Sequence, residues 1–269
     1  MTEANTSEPT VQELFDLTGK VAFISGASGF LGSSFSRALA EAGASVIVSS
    51  RDAERAKRVA AELPSPGGAA HHGVEMDHMD NVSLHRGFEA AVEAAGPIDV
   101  LINNGHDPLG EDLTTVTQEQ FGRQLGNAAG YFELARLVRD RAVEREAPAS
   151  IIIVGSMYGV VGSYPDAYEG VHPASPVAYH ALKGGVIHMT RHLAVYWAKD
   201  RVRVNCLSPG PFPSEKPPRE MISRLCEKSP MGRMGSPHEL KGALVFFASD
   251  ASSYVTGQNL LVDGGWTAW

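Results

Sequence analysis

Between Gly19 and Gly265, short and nearly unbroken apolar runs alternate with longer stretches whose apolar residues recur at helical spacing. Few folds accept such a chain. A strand that is apolar throughout must be covered on both faces, and parallel strands joined through helices achieve this. The runs fall at residues 21–24, 45–49, 73–76, 100–102, 151–154, 202–207 and 258–262. Leu31, Phe35, Ala38 and Leu39 share one face of a helix that should stop at Gly43. Further helices are expected from Asp52 to just before Pro64, and over 81–95, 118–146, 176–199 and 237–248. Ser236-Pro237-His238-Glu239 reads as a capping box, and Ser175-Pro176 offers a similar start. The expected fold is α/β, a doubly wound parallel sheet of seven strands with helices on both faces. No repeat or long linker divides the chain, so residues 13–269 are read as one domain behind a mobile tail over 1–12.

Composition narrows the function. The chain carries 23 Lys+Arg against 31 Asp+Glu, a formal charge of −8, and shows no dominant basic patch. Nucleic-acid binding is therefore disfavoured. Cys206 and Cys226 lack metal-ligand spacing, which predicts no metal and a reduced, cytoplasmic setting. No run approaches the ~20 apolar residues of a membrane helix. The polar, acidic first ten residues lack the basic start and apolar centre of a secretory signal.

Ser25-Gly26-Ala27-Ser28-Gly29-Phe30-Leu31-Gly32 follows the first strand and opens the first long helix. Glycines there let the backbone approach a pyrophosphate, whose charge the helix N-terminus stabilises. At the end of the second strand an acid would bind the ribose hydroxyls of NAD, and a basic residue the 2′-phosphate of NADP. Ser50 stands at the acid's place with Arg51 next, so NADP is expected and NAD is the alternative. Two further readings stand beside this one: Arg51 solvated with Asp52 capping the next helix, or Asp52 reaching the ribose.

Tyr179 and Lys183 are four apart, hence on one helix face. Such a pair arises about 0.2 times by chance in a chain of this composition, so spacing alone is only suggestive. The chemistry is clear: an ammonium favours the phenolate, and such a Tyr can exchange a proton with a C–O group while hydride moves to or from a nicotinamide.

From Leu17 to Gly265 the chain resembles the short, single-domain branch of the short-chain dehydrogenase/reductase family. The motifs are the glycine-rich turn, Asp77, Asn103-Asn104-Gly105, Asn127, Ser156, Tyr179 with Lys183, Arg203-Val204-Asn205, Ser208-Pro209-Gly210 and Val262-Asp263-Gly264-Gly265. The resemblance implies a single-domain Rossmann fold and an oxidoreductase of the ketone/secondary-alcohol type. It implies that Tyr179 is the acid/base and that Lys183 lowers its pKa and binds the nicotinamide ribose. Ser156 would hold the substrate oxygen, and Asn127 a water that links Lys183 to solvent. Cofactor contacts are expected at Gly26, Ser28, Phe30 and Leu31, at Ser50 and Arg51, at Asp77 and His78, and at Asn104 and Gly105. Pro209, Gly210, Phe212 and Ser214 complete them. Other readings are structural: Asn127 marking a helix kink, Ser156 a turn, Asp77 a helix cap.

Four departures bear on function. Ser25 stands for the usual Thr, and Phe30 occupies a place where this branch has Gly, a spacing closer to the two-domain epimerases and dehydratases. His106 follows Gly105 where the family reads Ala-Gly. There it would bond a polar substrate or gate by pH, unless it is an idle loop residue. The stretch between Ser156 and Tyr179 is long and holds Tyr158, Tyr164, Asp166, Tyr168, Glu169 and His172. It reads either as a wall for a polar substrate, through Tyr158 and Tyr168 above all, or as a contact with a neighbouring subunit. It and the ending Asp263–Trp269 resemble members acting on sugars and sugar acids. Gly122, Gly126 and Gly130 line one helix face, and family members pair this helix and the Tyr–Lys helix, so a homotetramer is expected. The alternatives to an oxidoreductase are a hydride-returning epimerase or dehydratase and a non-catalytic dinucleotide-binding regulator.

Overall fold

The computed structural model describes residues 8–111, 113–214 and 217–269. Its elements run α1 (Val11–Phe15), β1 (Val21–Ile24), α2 (Phe30–Glu41), β2 (Ser45–Ser50), α3 (Ala53–Ala61), β3 (His72–Glu75), α4 (Asn81–Ala95), β4 (Val100–Asn103) and α5 (Gln118–Glu144). There follow β5 (Ala149–Val154), α6 (Pro165–Tyr168), α7 (Val177–Trp197), β6 (Val202–Pro209), α8 (Arg219–Lys228), α9 (Lys241–Ala248) and β7 (Asn259–Val262). The strands form one parallel sheet in the order β3-β2-β1-β4-β5-β6-β7. The order reverses between β1 and β4, which opens a crevice at the carboxyl ends of the strands. Ile24 pairs with both Val48 and Ile102, so the residues after β1 and β4 emerge side by side.

Successive strand residues face opposite sides, which explains the unbroken apolar runs. Phe23, Ile47, Leu101, Ile151 and Val204 pack with Phe88 of α4, Leu134 of α5 and Val186 of α7. Ala22, Ile24, Val48, Ile102 and Ile152 pack with Phe35 and Leu39 of α2 and Leu244 and Phe247 of α9.

Asp52, Asp80 and Thr117 cap α3, α4 and α5, accepting backbone N–H bonds at 3.0, 2.7 and 3.2 Å. Each cap contributes about 1 kcal/mol. Ser175 does not start α7. Pro176 takes the cap position, and Ser175 Oγ instead bonds His180 Nε2 at 3.0 Å. Pro237–Leu240 is a 3-10 turn ahead of α9, its entry fixed by the Ser236 N–H donating to Glu239 Oε2 at 2.9 Å.

Three helices were not legible in the sequence. α1, closed by a Thr10–Glu13 capping box, includes Val11 and Gln12 of the expected tail, whose residues 1–7 lie outside the described residues. α6 and α8 are tied together: Arg224 donates to the carbonyls of Asp166 and Glu169 at 3.0 and 2.7 Å. Beneath them Met157, Ala167, Met221, Leu225 and Trp266 make a third core.

The glycines of α5 do not act as one face. A Cβ at Gly130 would sit 2.2 Å from the His78 carbonyl oxygen, whereas one at Gly122 would meet nothing within 4 Å. Gly130 therefore serves close packing inside the fold. α5 runs unbroken through Asn127, so that residue marks no break in the helix. Among the described residues, no helix is long and apolar enough to cross a membrane.

Candidate active site

The β1–α2 turn is built by close approach. Gly26 has φ +63°, and a Cβ on it would lie 2.6 Å from Gly105 Cα; one on Gly32 would lie 2.2 Å from the Gly26 carbonyl oxygen. Phe30, by contrast, is the first residue of α2, where the helical backbone accepts any side chain. No side chain caps α2, unlike α3, α4 and α5. Its first N–H groups are left facing a cleft of about 490 Å³, the arrangement that binds phosphate. Ser25 Oγ, buried, accepts the Asn104 and Gly105 N–H groups at 3.0 and 2.9 Å. Asn104 Nδ2 in turn donates to the Ser25 and Gly26 carbonyls.

Gly26, Ser28, Phe30 and Leu31 line the cleft at this turn, and Asn104 and Gly105 face them. Ser50 and Arg51 line it beyond β2, Asp77 and His78 beyond β3, and Pro209, Gly210 and Phe212 beyond β6. Ser214 lines neither this cleft nor the cavity beside it. Asp52 is also absent from the lining, its carboxylate spent on the α3 cap. Arg55 joins Arg51 there, a residue sequence reasoning missed although it lies in the first turn of α3. Arg51 stands 3.6 Å from Asp107, which Arg123 already holds at 2.7 Å. Asp77 does not cap α4, a task Asp80 performs; its Oδ1 accepts the Met79 N–H at 2.9 Å.

Tyr179 and Lys183 stand one turn apart on α7. Lys183 is buried, its Nζ donating to the Val154 carbonyl at 2.7 Å and lying 5.5 Å from the Tyr179 ring centroid. Burial brings its pKa down to about 8. Burial raises that of Tyr179, with the hydrogen bond to Ser156 pulling the other way. Lys183 has no part in this shift, so the lowering expected from it is not seen in the protein alone. Ser156, buried directly beyond β5, also accepts the Tyr158 N–H at 3.1 Å.

Asn127 is fully buried and saturated. Its Oδ1 accepts the Asp107 N–H at 2.8 Å and bonds His78 Nε2 at 2.9 Å, while its Nδ2 donates to the Asp107 and Gln124 carbonyls. An Asn side chain has no capacity beyond these four bonds.

His106 is not an exposed loop residue, nor is it poised to titrate near neutrality. Its ring meets Tyr179 edge to face, centroids 5.5 Å apart at 78°, and its Nε2 lies 3.2 Å from Gln124 Nε2. Burial, with Lys183 and His78 adding to it, lowers its pKa to about 3 against the weaker pull of Asp107. The pH-gate reading is therefore corrected: this imidazole is neutral at physiological pH. Gln124, buried three residues before Asn127 on the same helix, was not foreseen.

A second cavity of about 380 Å³ opens from the cleft, sharing Ser156, Tyr179, His106, Gly210 and Phe212 with it. Tyr158 and Tyr168 line it with their hydroxyls 2.6 Å apart, beside Leu109, Met157, Met221 and Leu225. Tyr158 also stacks on His180 at 4.6 Å. The rest of the long stretch turns elsewhere: Tyr164 packs on Trp266, and Asp166 pairs with Lys228 at 2.5 Å. All three Tyr of this stretch pack on the third core, and Tyr158 and Tyr168 also face the site.

Comparison with known proteins bears on the same residues. The profile of a family described as enoyl-(acyl carrier protein) reductase matches residues 26–267. A galactitol 2-dehydrogenase (L-tagatose-forming) of Cereibacter sphaeroides is 35% identical over 266 residues, covering 95% of this chain and 98% of that protein. An NADP-dependent mannitol dehydrogenase of Alternaria alternata is 32% identical, covering 95% of each. Among solved structures, a gluconate 5-dehydrogenase of Burkholderia cenocepacia in complex with NADP and tartrate superposes with a TM-score of 0.86. Its identity is 29%, covering 97% of this chain and 100% of that one.

Proposed function

The chain belongs to the short-chain dehydrogenase/reductase family and is an oxidoreductase of CH–OH/C=O groups; from that premise we propose that it interconverts a ketone and a secondary alcohol using NADP(H), with Tyr179 as acid/base. One observation carries the reading. Tyr179 and Ser156 meet where the dinucleotide-sized cleft joins the second cavity, with Lys183 buried behind them.

The cleft fits a dinucleotide phosphate on its own features: the uncapped α2, the Gly26 and Gly32 approach that a Cβ would fill, and two arginines beyond β2. When bound, NADP(H) supplies the hydride donor or acceptor. The first turn of α2 would hold its pyrophosphate, Arg51 and Arg55 its 2′-phosphate, Asp77 its adenine, and Pro209 and Gly210 would flank its nicotinamide. The NADP-dependent relative and the NADP-bound neighbour support this preference.

Ser156 donates to the substrate oxygen and stabilises charge developing there. Tyr179 gives its phenolic proton to that oxygen in reduction and takes it back in oxidation. Its buried phenol stays protonated as a donor until a charged neighbour favours its release, and Lys183, 5.5 Å from the ring, is that neighbour. Lys183 would also bind the nicotinamide ribose, and Asn127 would hold a water that links Lys183 to solvent.

The substrate class proposed is a polar, hydroxylated ketone or alcohol. The polyol-acting relatives and the hydroxyl-bearing wall of Tyr158 and Tyr168 support it. The molecule is proposed to work as a cytoplasmic homotetramer through α5 and α7, which expose Phe132, Val143, Val195 and Tyr196. The test is nicotinamide absorbance across polyols, sugars, keto acids and simple ketones, with NADPH and NADH, beside Tyr179→Phe. That variant should bind cofactor normally and lose roughly 10²- to 10⁴-fold in turnover; near-normal turnover would end the assignment. A hydride-returning enzyme would instead show bound dinucleotide and no net absorbance change.

A further inference from the structure

His106 holds a place between the two cavities that nothing in the reaction yet uses. It lines both, and its ring packs edge to face with the ring of Tyr179, centroids 5.5 Å apart. Its orientation is fixed on the far side, where Nε2 meets the buried Gln124 amide at 3.2 Å. The other ring nitrogen, Nδ1, is buried and has no hydrogen-bond partner among the described residues. Buried polar atoms are rarely left so, and their exceptions call for a ligand.

We infer that His106 Nδ1 recognises a hydroxyl on the carbon next to the reacting one, so that the site selects α-hydroxy ketones and vicinal diols over plain ketones and alcohols. The inference rests on the reaction proposed above and narrows its substrate. A hydroxyl is the matching group because it both donates and accepts. If Gln124 donates to Nε2, the imidazole proton resides on Nδ1, which then gives a hydrogen bond. If the Gln124 amide is turned, Nε2 donates to its oxygen and Nδ1 accepts. A hydroxyl satisfies either state, whereas a carboxylate serves only the first. The neutral imidazole also offers a carboxylate no charge. Across the cavity the Tyr158 and Tyr168 hydroxyls are bonded to each other at 2.6 Å among Leu109, Met157, Met221 and Leu225, so Nδ1 is the polar atom left without a partner at the Tyr179 end. Gln124 is a positioning residue in this arrangement: it holds the ring and touches no substrate.

The test compares NADPH reduction of 3-hydroxy-2-butanone with that of 2-butanone. Wild type should favour the hydroxy ketone, since a site built around a hydroxyl discriminates against the analogue that lacks it. His106→Phe fills the same space without the nitrogen, and the ratio of the two kcat/KM values should fall roughly 10- to 100-fold. His106→Asn, which returns an amide near the Nδ1 position, should keep most of the ratio. Equal losses on both ketones would mean that His106 only packs against Tyr179, and would overturn the assignment. A readout independent of turnover is the ¹⁵N shift of His106 Nδ1, which should move with added 2,3-butanediol and stay still with 2-butanol. Movement with both, or with neither, would also overturn it. Wild type silent on both ketones would strike the proposed reaction, while the nitrogen shift would still decide the role of His106.

Discussion

Removing the Arg51 side chain should separate the two cofactors. A charge-assisted hydrogen bond to phosphate is worth about 1.5–3 kcal/mol. The side chain is 67% exposed, so the lower end applies, where competition from water is strongest. At ~1.4 kcal/mol per factor of ten, Arg51→Ala should weaken NADPH about tenfold. Little is recovered by freeing Asp107, because that contact is 3.6 Å long and Arg123 holds the same carboxylate at 2.7 Å. NADH has nothing to lose and should stay within about twofold, well inside the noise of surface substitutions. Arg55→Ala should act in the same direction, and the double variant should fall short of a full hundredfold (~100), since both guanidiniums would share one phosphate. Fluorescence titration of NADPH and NADH against the three variants measures this, at 0.15 M salt and again near 1 M. The NADPH difference should narrow at high salt, where the screening length is only about 3 Å. Equal weakening of both cofactors, or none in the double variant, would refute the phosphate argument.

Two further predictions concern stability. Burial lowers Lys183 to about 8 from an ordinary 10.5, so between those values the unfolded chain retains a proton that the folded chain has released. Stability then rises with pH through that window. Urea unfolding of wild type and Lys183→Met at pH 8 and 10 should show a rise that the variant lacks; parallel slopes would contradict the buried charge. Gly130→Ala should cost about 1–3 kcal/mol, because its Cβ would meet the His78 carbonyl, while Gly122→Ala should gain about 0.5–1 kcal/mol from helix preference alone. Similar effects at the two positions would refute the packing account, and light scattering on the same samples should return four chains.

The sheet was legible because its strands are apolar on both faces and bounded by turn residues. Val21–Ile24 and Ala149–Val154 sit within a few residues of where the apolar runs place them. The charged helix α8 was not legible: only Met221 and Leu225, four apart, turn inward among polar neighbours. That i, i+4 pair was the available signal. α6 is four residues long, too short for any periodicity to declare itself. At the site, residue types announced Tyr179, Lys183 and Ser156, since their chemistry requires them. Gln124 and Arg55 carry no such signature, and only the folded helix brings the one to His106 and the other to the cleft. The Gly122–Gly130 spacing misled in part, because periodicity gives a shared face but not what covers each residue of it.

Asn127 acts as a rivet through three segments that the chain makes separately. Its one amide fastens α5 to His78, on the loop beyond β3, and to Asp107, on the loop beyond β4. The first loop borders the proposed adenine side of the cleft, and the second carries His106 to the substrate side. A substitution there unfastens both walls at once. An Asn127 variant should therefore lose alignment between the two walls, beside any loss of the proposed proton passage. Cofactor affinity, measured beside turnover, is the quantity that tells them apart.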